Sequence, residues 1–419
     1  MSTLVKVLVG LFGMFAVGAA AVWQLNIHGD ALTAAPLAAS STAERGAYLA
    51  KVGNCAGCHT APGGLPYAGG VALETPFGAV YASNLTPDAA TGIKSWTRGD
   101  FWRAMHHGKS KDGRLLYPAF PYTSYTLVTR DDSDALFAYL SSLPAVAQPQ
   151  QANTLGFPYN TQLALTVWRA LYFRSGSFQD DASKSADWNR GAYLTQSLGH
   201  CSACHAARNA LGATKKLNLA GGLIPVQNWY APSLVDAREA GLQGWSIEDI
   251  LALFKTGRTA QASVNGPMAE VVLGSTQHYS NADLNAMAVY LKALPPAANA
   301  LLPTAQGPAT ARGSKLYEQH CAQCHGDDGT GVAGAYPALA GNRAVVMPQI
   351  ANLVQMVLGG GYAPATTANP RPYGMPPYVL VLTDNDVAEV LSHIRSSWGN
   401  HSAGVSALDV MQIRAKGVH

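Results

Sequence analysis

Apolar residues at helical spacing recur three times along the chain. In the first copy, which follows Asp131, they are Leu136, Tyr139, Leu140 and Leu143. Positions three or four residues apart share one face of a helix, so the pattern predicts a helix with one buried face. Comparable stretches begin at Ser280 and Thr383. We therefore expect a closing helix at the end of each of three units.

A second helix is repeated ahead of the closing helix. Residues 96–100 and 245–249 both begin with Trp and place a hydroxyl residue three positions before an acid, which is the spacing of a capping box. Each unit then consists of an N-terminal helix, a Gly- and Pro-rich loop, a middle helix, a distal loop and a closing helix. This order predicts an all-α fold.

The N-terminus carries an almost unbroken apolar stretch. Residues 7–25 have no charge, Lys6 precedes them and Asp30 follows. That length can span a bilayer or form the core of a secretory signal. We expect residues 1–27 to be a transmembrane anchor helix, with removal as a signal segment as the alternative. Lys6 favours a cytoplasmic N-terminus, with the rest of the chain exported.

Segments rich in Pro, Ala and Gln separate the units near residues 144–153 and 295–308. The predicted domains are residues 43–147, 185–297 and 308–402. Residues 154–188 are additional to the repeated plan and contain several aromatic side chains. We expect this segment to pack between domains or to dock a partner.

Charge adds one exclusion. The 419 residues carry a formal net charge of +3, and only 13% of them are charged. Nucleic-acid binding needs a basic surface that neutralises phosphates, and this composition offers none. We therefore expect no nucleic-acid partner.

One short motif, Cys-x-x-Cys-His, occurs three times and contains all six cysteines. Its copies are Cys55, Cys58 and His59; Cys201, Cys204 and His205; and Cys321, Cys324 and His325. This motif attaches c-type haem: both thiols bond to the porphyrin and the adjacent His ligates the iron as its proximal ligand. The sequence thus predicts three covalently bound haem c groups. A structural zinc site would use two Cys pairs and leave the third stranded.

An Arg-Gly pair opens the helix that leads into each motif, at Arg45, Arg190 and Arg312. Each motif therefore has its own amphipathic helix in front of it. Together with the closing helices, this predicts three tandem class I cytochrome c domains, in which the haem forms much of the core.

An electron-transfer haem needs a sixth iron ligand opposite the motif His, commonly Met. Met268 and Met375 stand in the distal loops of the second and third domains and are the predicted distal ligands. The first domain has Phe120 at this place, and a phenyl ring cannot coordinate iron. His106 at the end of the middle helix is the first candidate there. His107 comes next, and Met105 or an open site are the remaining alternatives.

The proximal His should donate from its other ring nitrogen to an acceptor that fixes the ring. For His325 the expected acceptor is the backbone carbonyl of Pro337. No acceptor can be assigned for His59 or His205.

With these motifs, the chain resembles the triple-haem cytochrome c subunits of membrane-bound dehydrogenases of acetic acid bacteria and relatives. Besides the three motifs, residues 81–88, 117–122 and 274–278 carry the resemblance, which extends over about residues 43–407. It implies that the chain is not an enzyme by itself but an electron-transfer subunit of an oxidoreductase complex. Its partners would be a dehydrogenase catalytic subunit and, as acceptor, ubiquinone or a terminal oxidase.

The family includes cytochromes of alcohol, aldehyde, gluconate and fructose dehydrogenases. Its alcohol-oxidising members usually have Met in place of Phe120 and a longer C-terminal tail, so we expect the partner to be a molybdenum and iron-sulfur aldehyde dehydrogenase. A quinoprotein alcohol dehydrogenase or a flavin-dependent gluconate or sugar dehydrogenase is the alternative. The expected location is the bacterial inner membrane, with the haem domains in the periplasm.

A multihaem peroxidase-like enzyme is the rival from another functional class. Peroxidase chemistry requires an open iron position with acid-base groups close by. Only the first domain could offer one, if His106 were not bound to iron.

Overall fold

The computed structural model describes residues 42–214, 218–260, 262–297 and 310–417. These residues form two compact units. Among them, unit 1 comprises residues 42–50 and 58–179, and unit 2 comprises residues 51–57 and 180–417.

Residues 42–179 follow the predicted order of helices and add a hairpin. The elements are α1 (Ala43–Val52), α2 (Cys55–His59), β1 (Ala72–Thr75), β2 (Gly78–Tyr81), α3 (Arg98–His107), α4 (Tyr122–Tyr125), α5 (Arg130–Ser142) and α6 (Gln162–Tyr172). The middle helix is α3, and Thr97 caps it with Asp100 in the predicted capping box.

The remainder of the described chain contains two further copies of this order. The second copy has α7 (Ala186–Gln196), α8 (Ser202–His205), β3 (Gly222–Leu223), β4 (Tyr230–Ala231), α9 (Ile247–Thr256), α10 (Pro267–Gly274), a 3₁₀ turn (Thr276–His278) and α11 (Asn281–Lys292). The third has α12 (Ala311–His320), α13 (Ala322–His325), α14 (Arg343–Val346), α15 (Ala351–Gly359), β5 (Gly361–Tyr362), β6 (Gly374–Met375), α16 (Asp384–Ser396) and α17 (Ala407–Ala415). The predicted closing helices α5, α11 and α16 are confirmed.

The predicted fold class needs correction, because the protein is not all-α. Of the described residues, 42% are helical and 8% have strand character. Three two-stranded antiparallel hairpins, β1 with β2, β3 with β4 and β5 with β6, lie within the loops. These strands are too short to show the alternating pattern that reveals a strand in a sequence.

The transmembrane anchor helix is likewise not part of the observed architecture. Within the described ranges, no helix has both the length and the apolar character needed to cross a bilayer. Residues 1–27, on which that prediction fell, lie outside the described residues.

In every copy, the first and closing helices cross at a glycine. A Cβ atom on Gly46 would lie 1.9 Å from the carbonyl oxygen of Ala135, and one on Gly191 would lie 2.0 Å from that of Ala286. In the third copy a Cβ on Gly313 would lie 2.4 Å from the Glu389 oxygen. Real Cβ atoms cannot come this close, so only glycine permits the backbones to touch. The repeated Arg-Gly pair thus marks the crossing point.

The arginine of each pair completes the crossing with an ion pair. Arg45 bonds Asp132 at 2.5 Å, Arg190 bonds Asp283 at 2.8 Å, and Arg312 Nε lies 3.1 Å from Asp386 Oδ1. All three aspartates lie in the first turn of a closing helix, and their backbone N–H groups donate to the capping residues Thr129, Ser280 and Thr383. A half-exposed pair contributes up to about 1 kcal/mol. Its repeated position sets the register of the two helices.

The additional segment 154–188 forms the helix α6. One side of α6 packs on unit 1, where Leu165, Arg169 and Ala170 are buried. The guanidinium of Arg169 lies over the rings of Tyr122 and Phe173, 5.2 and 4.7 Å from their centroids. Leu163, Val167 and Leu171 on the opposite side are exposed. The segment therefore packs as part of unit 1.

The glycine crossing leads to a prediction about Gly191 in α7. An exposed helical glycine gains up to about 1 kcal/mol of stability when it becomes alanine. At this crossing we expect Gly191→Ala to lower the free energy of unfolding by about 2 kcal/mol, because the added methyl overpacks the contact. Denaturant unfolding of the full chain measures the change. Gly244→Ala is the control, since a Cβ there meets nothing within 4 Å. Equal stability of the two variants would contradict the role of the crossing.

Candidate metal centres

Each Cys-x-x-Cys-His motif lies in a tight helical turn at the end of its leading helix. The backbone N–H groups of His205 and His325 donate to the carbonyls of Cys201 and Cys321, both at 2.9 Å. In the first motif the whole run Cys55–His59 is helical. All six cysteines are described, and none forms a disulfide. The turn brings both sulfur atoms and the imidazole of each motif close together.

The three motif histidines share one orienting hydrogen bond. Each ring bonds through Nδ1 to a backbone carbonyl: His59 to Ser83 at 2.7 Å, His205 to Pro232 at 2.7 Å and His325 to Pro337 at 2.9 Å. A carbonyl can only accept, so Nδ1 carries the proton and Nε2 keeps its lone pair for a metal. Burial lowers the pKa of all three rings, which favours the neutral, metal-binding form.

The expected acceptor Pro337 is thus confirmed, whereas Ser83 and Pro232 had escaped the sequence analysis. A signal was present, because each acceptor stands two residues before a leucine: Leu85, Leu234 and Leu339. The spacing from His to acceptor differs between copies, at 24, 27 and 12 residues. That variation hid the common position.

One cavity of about 1060 Å³ lies in unit 2 and joins the second and third motifs. Its lining includes both complete motifs and both predicted distal methionines: Cys201, Cys204, His205 and Met268, with Cys321, Cys324, His325 and Met375. Ligand pockets usually measure about 300–1,000 Å³, so this space suits more than one large group. Ligation by Met268 and Met375 stays a prediction, with both side chains on the same cavity as their motif histidines.

The residues around this cavity suit a porphyrin that carries carboxylates. The indole of Trp245 lines the cavity, and its Nε1 is buried without a hydrogen-bond partner among the described residues. An unpaired buried donor costs about 1–3 kcal/mol, and a propionate oxygen would satisfy it. Zinc has no comparable site, since the described ranges contain no group of three or more His, Cys, Asp or Glu that could hold a metal ion.

A buried carboxylate holds the loop that supplies the His205 acceptor. Glu239 is 9% exposed and accepts from the Tyr230 hydroxyl at 3.0 Å and from the Ser233 backbone N–H at 2.6 Å. Burial and the neighbouring Glu239 charge raise the pKa of Tyr230, so the phenol stays a donor. Since Ser233 follows Pro232 directly, Glu239 positions the carbonyl that orients His205.

The candidates for the first distal site lie at the end of α3. His106 and His107 are both buried, and their rings meet edge to face with centroids 4.6 Å apart. The His106 ring stacks on Trp102 at 4.3 Å and is hydrogen-bonded to the backbone of Thr126. Burial is the main cause that lowers the pKa of His106 to about 4. Phe120 packs against the ring of Tyr125 at 5.2 Å. Ligation by His106 stays a prediction.

Comparison with known proteins gives a consistent result. A family model described as cytochrome c matches residues 43–144 and 310–398. The cytochrome c subunit of alcohol dehydrogenase (quinone) from Gluconacetobacter polyoxogenes is 38% identical, over 93% of this chain and 88% of the relative.

Two relatives carry the names of other dehydrogenases. The gluconate 2-dehydrogenase cytochrome c subunit of Pantoea cypripedii is 35% identical over 88% of this chain and 89% of its own length. The fructose dehydrogenase cytochrome subunit of Gluconobacter japonicus is 35% identical over 89% of this chain and 82% of its own length.

The role of Glu239 leads to a prediction about the second site. We expect Glu239→Gln to raise the reduction potential of that site alone, because the loop loses its anchor, His205 becomes a weaker donor to iron, and a nearby negative charge disappears. A lost hydrogen bond of about 1 kcal/mol corresponds to roughly 40 mV for one electron. A spectroelectrochemical titration resolves the shift. Glu248→Gln, an exposed charge change on α9, is the control. Equal titrations of the two variants would refute the positioning role.

Proposed function

Because this chain belongs to the family of multihaem cytochrome c subunits of dehydrogenases, we propose that it carries electrons from a catalytic subunit through three covalently bound haem c groups. The acceptor is ubiquinone or a terminal oxidase, and the site of action is the periplasmic face of the cytoplasmic membrane. The cavity that joins two complete motifs is the observation that carries this proposal.

The chain's own residues hold and tune each redox group. The six motif cysteines would bind the porphyrins, and His59, His205 and His325 would ligate iron from rings held by backbone carbonyls. Haem supplies reversible one-electron chemistry when it is bound. The Trp245 indole would bind a propionate, and the enclosing walls limit water at the iron, which tunes the potential. Met268 and Met375 would complete two of the three sites.

The continuous cavity also supports electron exchange between the second and third sites. Their motif histidines and predicted distal methionines line the same space. A substrate oxidised by the partner subunit releases two electrons, whereas each site accepts one. Closely placed sites accept both in succession.

The relatives favour an alcohol, gluconate or sugar dehydrogenase as the partner over an aldehyde dehydrogenase. Their printed names are those of alcohol, gluconate and fructose dehydrogenase subunits. The departure at Phe120, which had pointed to the aldehyde enzyme, concerns a single position. We therefore propose a quinoprotein or flavin-dependent catalytic subunit as the partner.

The number of bound groups provides the first test. We expect the mature protein to retain three haem equivalents after denaturation and acid-solvent extraction, because thioether bonds survive this treatment. A haemochrome assay against protein concentration measures the ratio. Cys201→Ser with Cys204→Ser should reduce covalent attachment to two equivalents. Fewer than three in the unaltered protein would overturn the proposed cofactor content.

The identity of the partner provides the second test. We expect the catalytic subunit that copurifies with this chain to contain a quinone or flavin cofactor and to reduce the haems on addition of alcohol, gluconate or a sugar. Cofactor extraction, metal analysis and the haem absorbance measure both properties. Molybdenum in the partner, with reduction by an aldehyde, would return the choice to the aldehyde enzyme.

A further inference from the structure

We propose that Met105 on the middle helix α3 provides the sixth iron ligand of the first haem site. This inference rests on the proposed haem content and concerns the one distal position that the loop leaves without a donor. Its evidence is the register of the middle helices, the direction of their side chains and the placement of His106.

The middle helices of the first two copies align without a gap. Both contain ten residues, α3 after the capping Thr97 and α9 after the capping Ser246. Both end at a glycine with positive φ, 58° at Gly108 and 76° at Gly257. Three residues before that glycine stands Met105 in α3 and Phe254 in α9. Counted back in the same way from Gly360 in the third copy, the equivalent residue is Val357.

This position faces the haem cavity wherever unit 2 shows it. Phe254 and Val357 both line the cavity that contains the motif histidines. The next position along the helix, held by Lys255 and Leu358, is not part of that lining. Because the helices share one register, Met105 occupies the cavity-facing position and His106 the other.

The contacts of Lys255 and His106 confirm the equivalence of their positions. Lys255 Nζ donates to the carbonyl of Gln277 at 3.1 Å, three residues before the cap of the closing helix. His106 is bonded to the backbone of Thr126, which is also three residues before its cap, Thr129. Both side chains therefore hold the loop that leads into the closing helix.

His106 is poorly placed to leave that position. Its ring is stacked on Trp102 with an angle of 17° between the planes. Its Nδ1 is buried without a partner in the described part of the chain. That nitrogen adjoins the side-chain branch, where a porphyrin plane meets the most crowding. Ligation through the other nitrogen would break the contact with Thr126.

The distal loop confirms that Phe120 replaces the loop methionine. The N–H of Leu116 donates to the Gly108 carbonyl, and the N–H of Val264 donates to the Gly257 carbonyl, both at 2.8 Å. Four residues later the loops carry Phe120 and Met268, respectively. The first site therefore lacks its thioether in the loop, while a thioether is present on the facing helix.

The neighbours of Met105 leave room for its sulfur. Residue 104 is alanine, whereas its equivalents Leu253 and Met356 are large and line the cavity. Met105 itself is 6% exposed, and its unbranched side chain adapts to irregular space. His107 is the rival donor, because its equivalent Thr256 also lines the cavity.

Methionine methyl resonances of the ferrous protein test this assignment. The full chain has nine methionines, and a methyl group on an iron-bound sulfur shifts far upfield in the porphyrin ring current. With methionine methyls labelled with carbon-13, we expect three such signals. Met105→Leu, Met268→Leu and Met375→Leu should each remove one. Met411→Leu, a change at a half-exposed methionine, should remove none.

The rival donors give opposite results. His106→Gln and His107→Gln should each retain all three upfield signals. Two signals in the unaltered protein would overturn the proposal without any variant, as would loss of the low-spin spectrum in His107→Gln with Met105→Leu unchanged. Haem counting on the same samples separates this outcome from failure of the proposed function: three equivalents with two signals contradict Met105 only.

Discussion

The closest approach in this protein, a helix crossing at a glycine, is the contact on which each haem site depends. At Gly46, Gly191 and Gly313 the first helix of a copy lies directly on the backbone of the closing helix. The Cys-x-x-Cys-His turn follows that first helix, so the crossing determines where the motif is held. The ion pair beside each glycine adds a register that a purely apolar contact would leave free to slide.

From this frame the motif histidine needs only one more constraint, and a loop provides it. Ser83, Pro232 and Pro337 differ in side chain but present the same carbonyl to Nδ1. A backbone acceptor fixes the tautomer without adding a charge beside the metal. In the second copy the buried Glu239 holds that loop through Tyr230 and Ser233. Loop sequence can therefore vary where loop geometry cannot.

The three copies have diverged on the distal side. The second and third place methionine in the loop, and the first places phenylalanine there while its middle helix carries Met105 and two histidines. The proximal side remains the same in all three. Reduction potential depends strongly on the distal ligand, so divergence there tunes one site against another without disturbing the helix crossing or the attachment of the porphyrin.

Local chemistry was legible in the amino-acid order: three attachment motifs, the closing helices, the capped middle helices and the acceptor Pro337 were all predicted, because each depends on residues near one another in the chain. The hairpins were missed since paired strands of two to four residues carry no periodic signal. The glycine crossings, the acceptors Ser83 and Pro232, the shared cavity and the orientation of His106 depended on tertiary contacts. Those contacts join residues far apart in the chain, and the identity of a residue does not reveal which distant backbone it meets.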